Sequence, residues 1–184
     1  QFQIIENEMS KKKKIKPRYF IKREWKKNNK KEGGGTSYLL SEGEIFDKVG
    51  VNQSTVSGQF EKAFRSKVLG AEKNGRYWAS GISIVAHMKN PKIPALHFNT
   101  RFIVTSKAWF GGGMDATPSF NDKKEKNFIH KKLKKVCELN NKNYNQYKKW
   151  CDSYFYLPHR KELRGIGGIF FDYETEDWEK NFKF

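Results

Sequence analysis

Five side chains suited to recognition and proton chemistry sit at alternating positions on two short stretches. Ser83 and His87 lie on the first; His97, Asn99 and Arg101 lie on the second. Residues two apart share one face of a strand, so pairing the two stretches with their polar faces together would gather all five into one patch. Such a patch offers two imidazoles, a guanidinium, an amide and a hydroxyl. Arginine presents a planar fork that matches a carboxylate, and asparagine can donate and accept beside it. Histidine carries protons near neutral pH. An ordinary solvated sheet face also alternates polar with apolar, but its usual residues are Lys and Glu. Neither occurs at these positions, although the chain holds 37 Lys and Arg.

His87, His97, His130 and His159 are all the histidines present. Four imidazoles can form a metal site, but no short ligand spacing such as HExxH occurs, so proton transfer is the simpler expectation. Gly111-Gly112-Gly113-Met114-Asp115 and Gly165-Ile166-Gly167-Gly168 match neither a P-loop nor a dinucleotide fingerprint, which excludes a nucleotide cofactor. These glycines suit close approach of backbone to a flat ligand or a tight sheet crossing. Cys137 and Cys151 belong to no CxxC pair and read as buried free thiols of a reducing compartment.

The elements that would position these groups are strands followed by helices. Ala79–His87 and Ala95–Val104 are the clearest strands, joined by a Pro-bearing link too irregular for a two-residue turn. A short run, Ala108–Phe110, ends at the glycines. Helical spacing of Phe128, Ile129, Leu133, Val136 and Cys137 follows Asn121 and Asp122, either of which could cap a helix. Tyr147, Trp150, Cys151, Tyr154 and Phe155 form a second, core-facing stripe. Gly165–Asp172 reads as a last strand. Upstream, Tyr19, Phe20 and Trp25 could anchor a strand or short helix, Gly33–Thr36 breaks regular structure, and Ile45-Phe46 marks a short element between turns. Without strict βαβ alternation, the pattern predicts an α+β domain with a large, mainly antiparallel sheet flanked by helices. One domain spans residues 1–184, and residues 1–17 read as a basic tail.

Hydrophobic residues make up 36% of the chain and aromatics 15%, so large rings rather than many aliphatics must close the core. No apolar run approaches the roughly 20 residues of a membrane span, and the N-terminal stretch lacks a signal-peptide h-region. A soluble, cytoplasmic protein is expected. The formal charge of +17 favours anionic partners: nucleic acid, anionic lipid or a polycarboxylate. No helix-turn-helix, zinc-finger or RRM signature supports nucleic acid.

The segment Gly81-Ile82-Ser83-Ile84-Val85-Ala86-His87, then Asn90-Pro91, Pro94 and His97-Phe98-Asn99-Thr100-Arg101, resembles the central motif of the oxygen-dependent coproporphyrinogen oxidases. The resemblance continues in order through Trp109–Gly113 with Asp115, Thr117-Pro118, Tyr147–Asp152, Tyr154–Tyr156, His159-Arg160 and Arg164–Asp172. It implies a homodimer that decarboxylates two propionates of coproporphyrinogen III to give protoporphyrinogen IX in haem biosynthesis. Dioxygen would be the co-substrate, with no cofactor certain and a divalent metal as a weak expectation. It further implies that Ser83, Asn99, Thr100 and Arg101 bind substrate and that His97 donates a proton. Asp115 would engage the pyrrole nitrogens, with His97, Asp115 and Arg101 as the catalytic set. His87, His97, His130 and His159 would be the metal ligands.

The chain departs from the family pattern at Ser57, Met88, Ala108, Ala116 and Tyr173, beside the key positions rather than on them. Family sequences also extend further, so the chain reads as the N-terminal two-thirds of such an enzyme, its C-terminal part absent. The alternative is a non-catalytic, truncated relative serving as a basic structural or RNA-associated subunit.

Overall fold

The computed structural model describes residues 1–120 and 122–184, Lys30 by its backbone alone. Helix α1 (Phe2–Lys12) precedes strands β1 (Ile21–Lys26), β2 (Gly33–Ser41) and β3 (Phe46–Gln59). The single-turn α2 (Lys62–Arg65) leads to β4 (Arg76–Met88), β5 (Ala95–Val104) and β6 (Ala108–Thr117). Helices α3 (Lys123–Leu139) and α4 (Tyr144–Tyr154), a two-residue pair β7 (Tyr156–Leu157) and β8 (Glu162–Leu163), β9 (Gly167–Glu174) and α5 (Trp178–Lys183) complete the chain.

Seven strands form one antiparallel sheet in the order β1-β2-β3-β4-β5-β6-β9. The α+β expectation therefore holds, and so do the strands expected at 79–87 and 95–104. Two expected breaks do not occur. Gly33–Gly35 open β2 and Gly111–Gly113 lie inside β6, because bulky partners fill the space that a missing side chain leaves. Trp25 pairs with Gly35 across β1–β2. Phe170 and Phe171 pair with Gly113 and Gly112 across β6–β9, and the Phe171 ring lies 3.0 Å from where a Gly112 Cβ would be. An aromatic ring laid over a cross-strand glycine restores the packing the glycine lacks.

The sheet's two faces differ. On one, Leu40, Val49 and Ala86 pack with Phe46 beneath α1, whose Phe2 meets Phe46 edge-on with ring centroids 5.3 Å apart. Farther along the same face, Ile129, Leu133 and Cys137 of α3 pack on Ala116, Ile169 and Phe171. Burying a leucine of this kind contributes about 1.5–3 kcal/mol. Asp122 caps α3 by accepting from the Lys124 amide at 2.7 Å, while Asn121 lies outside the described residues. Phe128 and Val136 share the helical spacing of α3 but are exposed, and so is Tyr154 of the stripe expected to face the core.

Residues 1–17 are not a tail. Most of the segment is α1, latched to the β2–β3 turn by Glu6, which is 1% exposed and accepts from the amides of Glu44 and Ile45. A buried carboxylate holding two backbone N–H groups is a tertiary anchor that a lysine count conceals.

Candidate functional site

Strands β4, β5 and β6 assemble the site by register alone. Ser83 stands opposite Asn99, Val85 opposite His97 and Gly81 opposite Arg101. On the far side of β5, His97 pairs with Asp115, Asn99 with Gly113 and Arg101 with Gly111. Directly opposed residues share a face, so Ser83, His87, His97, Asn99, Arg101 and Asp115 emerge together. This is the face away from α1 and α3. It holds a shallow trough of about 250 Å³ whose lining includes Asn52, Ser54, Ser83, Asn99 and Arg101.

Thr100 does not belong to this group. It pairs with Ile82 and Gly112, and strand alternation turns it to the opposite face, into an apolar groove of about 570 Å³ that Trp78, Phe98 and Phe102 also line. Thr100 also borders the trough between Asn99 and Arg101, but alternation along β5 turns its side chain away from the polar row.

Arg101 is held from three directions. Its Nη2 donates to Asp172 Oδ2 at 2.7 Å and its Nη1 to Asn99 Oδ1 at 3.3 Å. The guanidinium carbon lies 5.3 Å from the Phe170 ring centroid. The other oxygen of Asp172 accepts from Trp109 Nε1 at 2.9 Å. Arginine has five N–H donors, so a guanidinium held this way keeps some free for an anion while its plane is fixed. Gly111 is required here: a Cβ would overlap Asp172 Oδ1 and lie 2.9 Å from Arg101 Nε. This glycine makes room for an ion pair of the protein rather than for a flat ligand.

Asp115, 3% exposed, is not open to the trough. Its Oδ2 accepts from Arg164 Nε at 2.9 Å and Nη2 at 2.6 Å. Oδ1 faces His97 Nδ1 at 3.5 Å, and that nitrogen is buried without a hydrogen-bond partner. The Arg164 fork occupies Oδ2 alone, so any further donor to Asp115 has Oδ1 to reach.

The four histidines do not converge within the chain. The rings of His87 and His97 lie 6.4 Å apart, and His159 sits exposed in the turn between β7 and β8. His130 has both nitrogens engaged, Nδ1 with the Tyr144 hydroxyl at 2.7 Å and Nε2 with the Ile166 carbonyl at 2.8 Å. Among the described residues no three His, Cys, Asp or Glu side chains come together as metal ligands. The expected four-histidine ligand set therefore does not fit this arrangement, since His130 would have to abandon both partners. Both cysteines are buried and free, and burial pushes the Cys137 thiol up to about 11 and that of Cys151 to about 12.

Sequence reasoning assigned no role to Arg164, Asp172, Trp109 or Phe170. A signal existed in β9, where Phe170 and Asp172 alternate toward the face that carries Arg101. No helix among the described residues is long and apolar enough to cross a membrane.

Residues 2–184 match the family model described as coproporphyrinogen III oxidase. The chain is 49% identical over 186 aligned positions to the oxygen-dependent coproporphyrinogen-III oxidase of Rickettsia bellii (strain OSU 85-389). It is 49% identical to that of Rickettsia akari (strain Hartford) and 48% to that of Rickettsia rickettsii (strain Sheila Smith). Each alignment takes in all of this chain and 66% of the relative, so the chain spans just under two thirds of the length of these curated relatives.

Proposed function

As the chain belongs to the coproporphyrinogen III oxidase family, we propose that it serves the oxygen-dependent oxidative decarboxylation of coproporphyrinogen III to protoporphyrinogen IX in haem biosynthesis. The observation that carries this reading is the single face on which Ser83, Asn99, His97, Arg101 and Asp115 meet. Each propionate loses CO2 and becomes a vinyl group. The two electrons released reduce O2 to hydrogen peroxide, and one proton per propionate carboxylate is taken up.

The residues suit those demands. Coproporphyrinogen bears four carboxylates, and Arg101, its plane fixed by Asp172 and Phe170, offers free N–H donors to one of them. Asn99 and Ser83 add neutral hydrogen-bonding groups beside it. His97 stands at the Asp115 end of the row, half-buried beside that acidic partner, where an imidazole can pass a proton. The charge of +17 draws a polyanionic substrate toward the surface. In this reading the protein works in the cytoplasm as a homodimer, as the resemblance implies.

The test is to incubate the protein with coproporphyrinogen III under air and under argon, following protoporphyrin fluorescence after chemical oxidation. Protoporphyrin should form in air alone, with peroxide in step. A folded chain that binds coproporphyrinogen yet converts none, beside an active Rickettsia bellii relative, would replace this reading with the non-catalytic one.

A further inference from the structure

Three side chains at the β6 end of the trough form a directional chain. Arg164 lies in the bend between β8 and β9, its guanidinium carbon 3.7 Å from the Phe155 ring centroid. Its Nε and Nη2 both reach Asp115 Oδ2, so one carboxylate oxygen is saturated and the other is left over. A carboxylate this deeply buried is costly unless paired and hydrogen-bonded. The spare Oδ1 looks at His97 Nδ1, itself buried and unpartnered, across 3.5 Å. The backbone holds the two opposite each other, since His97 and Asp115 are direct partners on β5 and β6. A closure of roughly 0.6 Å would bring the pair to ordinary N–H···O distance.

The bend that carries Arg164 is itself fixed. The Ile166 amide donates to the Ala116 carbonyl at 3.0 Å. The Ile166 carbonyl meets His130 Nε2, whose ring is held from the other side by Tyr144. Gly165 takes φ +58°, and a Cβ there would lie 2.2 Å from the Ala116 carbonyl oxygen, so no side chain fits.

We propose that Arg164 is a positioning residue for the proposed oxidase reaction, on which this inference rests. It turns Asp115 so that Oδ1 accepts the Nδ1–H of His97, leaving His97 Nε2 as the nitrogen offered to the substrate. Rotating the carboxylate away would break a two-bond fork and lift a guanidinium off an aromatic ring, so the orientation is set before substrate arrives. The same contacts occupy the donors with which an arginine would otherwise grip a propionate. Arg164 therefore acts through Asp115, in contrast to Arg101, which faces the ligand. His130, through Ile166, steadies the bend.

The test has two independent arms. Long-range proton–nitrogen NMR of the unliganded protein, with neutral imidazoles and His97 identified by its loss in His97→Gln, reads the tautomer directly. We expect the Nδ1–H form in the parent chain and a swing toward the Nε2–H form in Arg164→Leu. Arg164→Lys keeps the charge without the fork and should fall between them. Should Arg164→Leu unfold, Arg164→Lys, which keeps the charge and loses the fork, answers the same question. An unchanged tautomer in any folded variant lacking the fork overturns the proposal. In the kinetic arm, Arg164→Lys should lower kcat on the order of 10- to 100-fold with KM within about threefold, a share of the roughly 10²–10⁴ that a positioned proton carrier contributes. A raised KM with unchanged kcat would make Arg164 a substrate ligand and overturn the proposal equally. If the parent chain turns over no substrate, the proposed function fails, while the tautomer measurement still decides the role of Arg164.

Discussion

On β5, Asn99 and Arg101 rise into a trough walled by charge pairs, whereas Phe98, Thr100 and Phe102, one residue away, look into an apolar groove. The same ten-residue strand thus serves two environments with different rules. On the trough face, polar groups are held by one another: Arg101 by Asp172 and Asn99, Asp172 by Trp109, Asp115 by Arg164. On the other face, apolar contact joins α3 to the sheet through Ile129, Leu133 and Cys137. Parity along the strand therefore decides whether a substitution touches chemistry or stability, and position in the sequence does not.

The sharpest way to break that distinction is Arg101→Ala. It removes the trough's guanidinium and leaves Asp172 with only the Trp109 N–H and its own neighbouring amide. We expect kcat/KM for coproporphyrinogen to fall by about 10²-fold or more, as loss of a charge-assisted contact made to the reacting substrate would produce. Thermal melting should show a smaller cost, about 1–3 kcal/mol, from the partly buried carboxylate left short of a partner. Near-normal turnover would remove Arg101 from the site. The mirror experiment on the helix face is Leu133→Ala. It deletes a 7%-exposed core side chain and should cost about 2–5 kcal/mol of stability, with turnover per folded molecule within about twofold. A large fall in kcat at unchanged stability would mean that the two faces communicate.

Strands made of alternating β-branched and polar residues were legible in the sequence, and so was the polar face of β4 and β5, because period-two alternation is a local property. The glycine runs were not. Gly33–Gly35 and Gly111–Gly113 look like breaks until Trp25, Phe170 and Phe171 are seen lying against them from neighbouring strands. Phe170 and Phe171 stand at long sequence separation from β6, so no local window contains both, and Trp25 meets Gly35 only once β1 and β2 pair. Arg164 and Asp172 escaped for the same reason, since their roles exist only through Asp115 and Arg101, respectively 49 and 71 residues away. The lysine-rich N-terminus misled differently. Its charge is real, but one buried carboxylate, Glu6, fixes where the helix goes. Gly111→Ala tests the glycine argument directly. The added methyl meets the Arg101–Asp172 pair, and overpacking of this kind should cost about 1–3 kcal/mol. We expect a matching rise in KM as Arg101 is pushed off its plane. A variant as stable and active as the parent would show that the pair tolerates displacement, and that this glycine serves something else.

The smallest expected effect is the most discriminating. Thr100 sits between Asn99 and Arg101 in the motif that resembles the oxidases, so a reading from sequence alone makes it a ligand. Register puts it across from Ile82 and Gly112 instead, with its side chain on the groove side. Thr100→Val keeps the shape and the β-branch and removes only the hydroxyl, which donates to no group among the described residues. A valine on a groove lined by Phe98 and Phe102 should change stability by no more than about 0.5 kcal/mol, the usual range for surface substitutions. Turnover and KM should stay within about twofold of the parent, measured beside Arg101→Ala under identical conditions. A tenfold loss in Thr100→Val would mean that the hydroxyl reaches substrate, and the assignment of the two faces would then have to be reversed at this strand.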